Sequence, residues 1–127
     1  MSALVLDAGA LIALELNDRA MWARLLVAAS SGAPVLVPST ALAQVWRARS
    51  SQVRLSRALA HCEIAPFDPV ARDVGELCRR SGTTDLCDAH VALVAAASGD
   101  VLCTSDPDDM TRLLASCGKR RPTLLRV

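Results

Sequence analysis

Aromatic residues are scarce in this chain, which has two tryptophans, one phenylalanine and no tyrosine among its 127 residues. Proteins that bind single-stranded nucleic acid by base stacking use several aromatic side chains, so a stacking surface of that kind is not expected. Lysine is almost absent as well, because 13 of the 14 basic residues are arginine. Arginine suits bidentate contacts with phosphate, although a biased base composition of the genome would produce the same excess. The net charge of +1 provides no general attraction to nucleic acid.

The chain also lacks long apolar runs and paired cysteines. No apolar stretch reaches the roughly 18 residues that a membrane span needs, because Asp7 and Glu15 interrupt the longest candidate. No basic segment precedes the first apolar one, so we expect no secretory signal peptide. The five cysteines are an odd number and form no C-x-x-C motif. We therefore expect a cytoplasmic protein with buried, reduced thiols and neither a disulfide framework nor a zinc site.

The apolar pattern predicts one α/β domain that spans residues 1–127. At 52% apolar residues, a chain of this length can bury a sizeable core. Predicted strands cover 3–6, 35–37, 62–67, 101–104 and 123–127. Predicted helices cover 9–16, 18–31, 39–48, 51–60, 69–80, 85–98 and 106–116. Strands that alternate with helices favour a mostly parallel, five-stranded sheet with helices on both faces, which is a three-layer sandwich.

Aspartates stand where the predicted strands end or where a following helix begins. Asp7 ends the first strand, Asp106 ends the fourth, and Asp88 opens the helix before the fourth strand. Gln44 lies near the predicted start of the helix after the second strand. In a parallel sheet all four positions fall at the carboxyl edge, where ligands of open α/β folds bind. Several carboxylates at one edge favour a site for a divalent metal ion.

Helix capping is the competing explanation for these aspartates. Asp7 precedes the helix-forming sequence Ala-Gly-Ala-Leu, and Asp106 precedes a proline at the first helical position. Taken singly, each aspartate is better explained as a cap, whereas three at one sheet edge together favour a metal site. For Asp85 and for Asp109, which could complete a capping box with Asp106, capping is the preferred interpretation.

Four motifs occur in order along the chain: Asp7, Thr40-x-x-x-Gln44, Asp85-Leu-Cys-Asp88-Ala-His-Val-Ala, and Thr104-Ser-Asp106-Pro-Asp-Asp109. Together they resemble the PIN domain, and within it the VapC-type toxins of bacterial toxin–antitoxin pairs. The resemblance covers the whole chain and implies a sheet in the order 3-2-1-4-5. It also implies an endoribonuclease that depends on Mg²⁺ or Mn²⁺, inhibition by a cognate antitoxin, and a homodimer.

Residue by residue, the resemblance assigns catalytic and metal-binding roles to Asp7, Asp88 and Asp106. Gln44 departs from the pattern, because the family usually has glutamate on this helix. An amide oxygen can coordinate a cation but adds no charge. Asp85 and Asp109 are possible accessory ligands that could compensate in part. The departure leaves open an alternative function, a catalytically weak PIN-like module that binds RNA or protein through a degraded metal site.

The densest basic stretch of the sequence follows Gln44 and contains Arg47, Arg49, Arg54 and Arg57. As a functional patch, these side chains would contact RNA phosphates without reading the base sequence. A solvated helix face would have the same composition. The sequence leaves both interpretations open.

Overall fold

The computed structural model describes residues 3–118 and 121–127. Its sheet has five strands: β1 (Leu4–Leu6), β2 (Val35–Pro38), β3 (Glu63–Ala65), β4 (Val101–Thr104) and β5 (Thr123–Arg126). Their order is β3-β2-β1-β4-β5, and all four neighbouring pairs are parallel. The predicted order is therefore confirmed, and the sheet that was expected to be mostly parallel is parallel throughout.

The described residues form seven α-helices: α1 (Ala8–Glu15), α2 (Arg19–Ser31), α3 (Ser39–Val45), α4 (Val53–Leu59), α5 (Ala71–Ser81), α6 (Leu86–Ser98) and α7 (Pro107–Ala115). Two short 3-10 turns, Ser50–Gln52 and Asp68–Val70, precede α4 and α5. They occupy the first residues of the helices predicted at 51–60 and 69–80, so both α-helices begin later than expected. None of the described helices is long and apolar enough to cross a membrane.

Helices cover both faces of the sheet and bury its central strands. Helix α2 packs beside Leu4 and Val101, which share one face, and α6 contacts β1 and β2. Successive strand residues point to opposite faces, so apolar residues are needed at every position of a strand that is covered on both sides. All three residues of β1 are buried, as this requires. The largest fully buried side chains come from strands and helices alike: Leu6, Leu11, Leu14, Met21, Leu25, Leu55, Leu77, Leu102 and Met110.

Helix α3 ends at Val45, three residues before the predicted end near Ala48. The backbone of Trp46 is extended, and Ala48 has a φ of 55°, in the left-handed region that interrupts a helix. The buried amide of Gln52 stabilises this turn. Its Nε2 donates to the Val45 carbonyl at 2.8 Å and to Glu15 at 2.7 Å, and its Oε1 accepts from the Arg47 N–H at 2.9 Å. The turn after Val45 is therefore stabilised by a nearby side chain that also bonds to Glu15 of α1.

Candidate active site

Asp7 links the ends of β1 and β4 at the carboxyl edge of the sheet. Its Oδ1 accepts a hydrogen bond from the Ala10 N–H at 2.9 Å and so caps α1. Its Oδ2 accepts from the Ser105 N–H at 3.3 Å, and the Thr104 hydroxyl also bonds to the carboxylate. Only 5% of the residue is exposed. Burial raises the pKa of Asp7, and these hydrogen bonds oppose that shift.

Gly9 permits the close approach of α1 to the end of β4. A Cβ atom at this position would overlap the Ser105 side chain and would come within 3.2 Å of Asp7 Oδ1. Any larger residue would have to displace the segment that donates to Asp7. The absence of a side chain in the first turn of α1 therefore preserves the surroundings of the buried carboxylate.

Asp88 lies half-buried in the first turn of α6, and its backbone N–H donates to Asp85 Oδ1 at 3.0 Å. Its pKa is raised to about 6, first by burial and then by the Asp85 carboxylate, with further contributions from the charges of Asp7 and Asp106. Such electrostatic effects decline with distance. Asp7, Asp85 and Asp106 thus lie close enough to Asp88 for their charges to raise its pKa.

The aspartates that cap α1, α6 and α7 also lie close to Asp88. Asp85 caps α6, as predicted, and Asp106 caps α7 by accepting from the Asp109 N–H at 3.2 Å. The capping box expected of Asp109 does not form. The Asp106 N–H donates to Thr104 Oγ1 at 3.0 Å, and the Asp109 carboxylate forms an ion pair with Arg112 one helical turn away. The Asp109 carboxylate therefore pairs with a guanidinium and does not accept the Asp106 N–H.

Gln44 does not lie where the sequence suggested. It was expected near the start of the helix after β2, but α3 begins at Ser39 and ends at Val45, so Gln44 falls in the last turn. The residue is exposed. In the part of the chain that the structure describes, its side chain makes no hydrogen bond to the aspartates.

The basic stretch after α3 is only partly available for a ligand. Arg47 Nη1 donates to the carbonyls of Ala43 at 3.0 Å and Trp46 at 2.7 Å, so this guanidinium closes the end of its own helix. Arg49, Arg54 and Arg57 are exposed. Arg47 thus has backbone partners for Nη1, whereas its other N–H donors, and the guanidinium groups of the other three arginines, make no hydrogen bond within the described residues.

The donor chemistry of the aspartates suits a divalent cation, but their arrangement is not that of a closed metal site. Carboxylate oxygens are preferred ligands of Mg²⁺, which commonly takes one or two of them and keeps several waters. A nearby cation would also relieve the repulsion that raises the pKa of Asp88. Within residues 3–118 and 121–127, however, no three histidine, cysteine or acidic side chains converge closely enough to hold an ion. The aspartates thus fit such a metal in donor chemistry, but they do not form a preformed cage.

His90 is the least expected polar residue near the site. It is fully buried, its Nδ1 lies 2.7 Å from the Thr40 hydroxyl, and its ring meets Phe67 edge-on with centroids 5.3 Å apart. Burial lowers the pKa of His90, and the nearby Pro66 carbonyl opposes the shift only in part. Nε2 makes no hydrogen bond of ordinary distance and angle. His90 therefore links α6 to α3 inside the core, and it is not exposed at the sheet edge where the aspartates lie.

A cavity of about 250 Å³ opens beside Asp88. Asp85, Asp109 and Arg112 line it together with the loop that joins α5 to α6. Sequence reasoning did not identify Arg112 as a site residue. Its spacing of three residues from Asp109 on one helix was the signal that could have done so, because such residues are neighbours on a helix surface.

Comparison with known proteins supports the fold. No protein-family model matches the chain, and no curated protein shows significant similarity to it. Among solved structures, a chain in VapBC2 from Rickettsia felis, bound to a DNA fragment from the promoter, matches with a TM-score of 0.69. The match covers 98% of this chain and 98% of that chain at 18% sequence identity. At this identity the likeness is evidence of shared architecture, and the chain accordingly has the PIN-like fold that its sequence predicts.

Proposed function

We propose that this protein is a metal-dependent endoribonuclease that hydrolyses RNA phosphodiester bonds, and that it is the toxin of a toxin–antitoxin pair. The observation that carries the proposal is the position of Asp7, Asp88 and Asp106 at the carboxyl edge of the sheet, close enough for the charges of Asp7 and Asp106 to contribute to the raised pKa of Asp88. Carboxylates whose pKa is raised by burial and by neighbouring charges are typical of functional sites. The fold shared with a VapBC2 chain is consistent with the same function.

Asp7, Asp88 and Asp106 are the residues that would hold Mg²⁺ or Mn²⁺. Such an ion, when bound, supplies Lewis acidity and neutralises charge that develops on the phosphate. Asp7 is fixed by the Ala10 and Ser105 N–H groups, so its carboxylate needs little reorganisation to act. Asp88 is partly exposed beside the cavity and can face an entering RNA strand.

The same proposal includes a cognate antitoxin as partner, a homodimer and a cytoplasmic location. Large apolar side chains are exposed on or beside α1, α2 and α4, and they suit contact with another protein. They are Ile12, Leu16, Leu26, Val27 and Val53. The VapBC2 structure is described as bound to promoter DNA. By analogy, a complex of this protein with an antitoxin would bind the DNA upstream of its own genes.

A catalytically weak PIN-like binding module is the second candidate. Two observations favour it: Gln44 is exposed and uncharged in place of glutamate, and the described residues contain no group of three metal ligands. Under this alternative, the protein would bind RNA or another protein but would not cleave RNA.

RNA cleavage by the purified protein separates the two candidates. We expect cleavage in Mg²⁺ or Mn²⁺ that EDTA abolishes, and we expect Asp7→Asn and Asp88→Asn each to remove it while circular dichroism remains native. Asp73→Asn is the matched control, because Asp73 is an exposed first-turn acid of α5 away from the cavity. Cleavage that persists in EDTA would contradict the proposed function, and unchanged cleavage in either site variant would contradict the proposed site.

A further inference from the structure

The cavity beside Asp88 combines acidic and basic groups in one concave surface. Its walls are the end of α5, the first turn of α6 and one side of α7, from Asp109 to Leu113. Gly82 ends α5 with a φ of 72°, which turns the chain sharply into the loop that leads to Asp85. The cavity therefore lies where three packed helices, α5, α6 and α7, meet.

Arg112 is the one basic residue among the side chains that line this cavity, which also include Asp85, Asp88 and Asp109. Its Nη2 forms the ion pair with Asp109, and its side chain is 78% exposed. Within residues 3–118 and 121–127, the Arg112 guanidinium has no partner besides Asp109. A guanidinium carries five N–H donors, so the pair with Asp109 orients the group while leaving donors free for a ligand.

Asp109 lies in the capped first turn of α7, because its N–H donates to Asp106 Oδ1. An exposed i, i+3 ion pair is weak. The pair therefore favours an Arg112 rotamer beside the cavity and leaves the guanidinium free to move onto a ligand.

We propose that Arg112 binds a phosphate of the RNA strand adjacent to the bond that is cleaved. This inference rests on the proposed function, because Asp88, a proposed catalytic residue, lines the same cavity. Three carboxylates alone would repel the backbone of RNA, and one guanidinium among them reduces that repulsion. The planar fork of arginine also matches two phosphate oxygens, which lysine cannot do. RNA is favoured over an acidic protein partner because the bond to be cleaved must reach Asp88.

The test is equilibrium binding of a single-stranded RNA oligonucleotide at several KCl concentrations, in EDTA so that metal-dependent cleavage cannot occur. Each phosphate contact to single-stranded nucleic acid contributes about 0.7 to the slope of log K against log salt concentration. We expect Arg112→Gln to lower that slope by about 0.7 and to weaken binding at 0.1 M KCl by up to about fivefold. Arg112→Lys should restore the slope but only part of the affinity.

Arg72→Gln is the matched control. Arg72 is an exposed arginine at the start of α5, roughly 14 Å along that helix from Ser81 at its cavity end. Its replacement should leave the slope unchanged. Melting temperatures of all three variants check that the fold is retained.

An unchanged slope in Arg112→Gln would overturn the inference, and so would the absence of salt-dependent RNA binding by the wild-type protein. A loss of slope in Arg72→Gln equal to that in Arg112→Gln would overturn it too, because the effect would then be one of net charge. These outcomes differ from failure of the proposed function. A binding module without nuclease activity would still show the Arg112 effect, whereas a nuclease that contacts RNA elsewhere would cleave without it.

Discussion

Replacement of Asp88 by asparagine should stabilise the metal-free protein, and the gain should depend on pH. The folded-state pKa of Asp88 is about 6, against an ordinary value of 3.8. Above pH 7 the folded protein therefore carries this charge at a cost in free energy. As pH falls through 6, the folded state takes up the proton before the unfolded state does, so the stability of the wild-type protein rises. Asparagine carries no charge at any pH and avoids the cost.

The size of the effect follows from the shift in pKa. A difference of about two pH units corresponds to about 3 kcal/mol, and solvent screening of a half-buried carboxyl group reduces this to roughly 1–2 kcal/mol. For a domain of this length, that free energy changes the melting temperature by roughly 4–8 °C. We thus expect Asp88→Asn to melt about 4–8 °C above wild type at pH 8 in EDTA, and the difference to shrink by pH 4.5.

Thermal melting followed by circular dichroism between pH 4.5 and 8 measures the gain in melting temperature and its dependence on pH. The difference between the two proteins isolates Asp88, because His90, whose pKa is lowered by burial, contributes an opposite pH dependence to both. The Asp73→Asn variant should track the wild-type curve. An Asp88→Asn protein that is less stable than wild type at pH 8, or a difference that does not vary with pH, would refute the raised pKa of Asp88.

Three further substitutions test other parts of the site. Gly9→Ala should lower the melting temperature by an amount equivalent to about 1–3 kcal/mol and reduce RNA cleavage, because the new methyl group displaces Ser105 from Asp7; unchanged stability and cleavage would contradict this. Gln52→Ala removes three hydrogen bonds at a buried position and should cost about 2–4 kcal/mol in urea unfolding; a loss below 1 kcal/mol would mean that water replaces them. Gln44→Glu adds a charge at an exposed position, so calorimetry should show at most about tenfold tighter Mg²⁺ binding, and no change would place Gln44 outside the site.

The alternation of apolar segments was enough to predict the class of the fold. All five strands and seven helices lie within a few residues of their predicted positions. Burial on both faces demands a continuous apolar run in the central strand Leu4–Leu6, whereas the residues of the edge strands β3 and β5 are exposed or half-buried. The strand order came from the resemblance to PIN domains and is confirmed. The position of Asp7 after β1 also predicted its place at the carboxyl edge, since the edge at which a parallel strand ends follows from connectivity alone.

Three features of the site could not be predicted from the sequence, because they depend on contacts between separate segments of the chain. Asp7 accepts from Ser105, 98 residues away, and no local pattern predicts that bond. The predicted helix ran to about Ala48, but α3 ends at Val45, and Gln52 links the following turn to Glu15 of α1, 37 residues away. Gln44 consequently falls in the last turn of α3, where it is exposed. Likewise, only the packing of α5, α6 and α7 places Arg112 beside Asp88. Sequence periodicity specifies which face of an element is buried, whereas side-chain neighbours from separate elements exist only after those elements have packed.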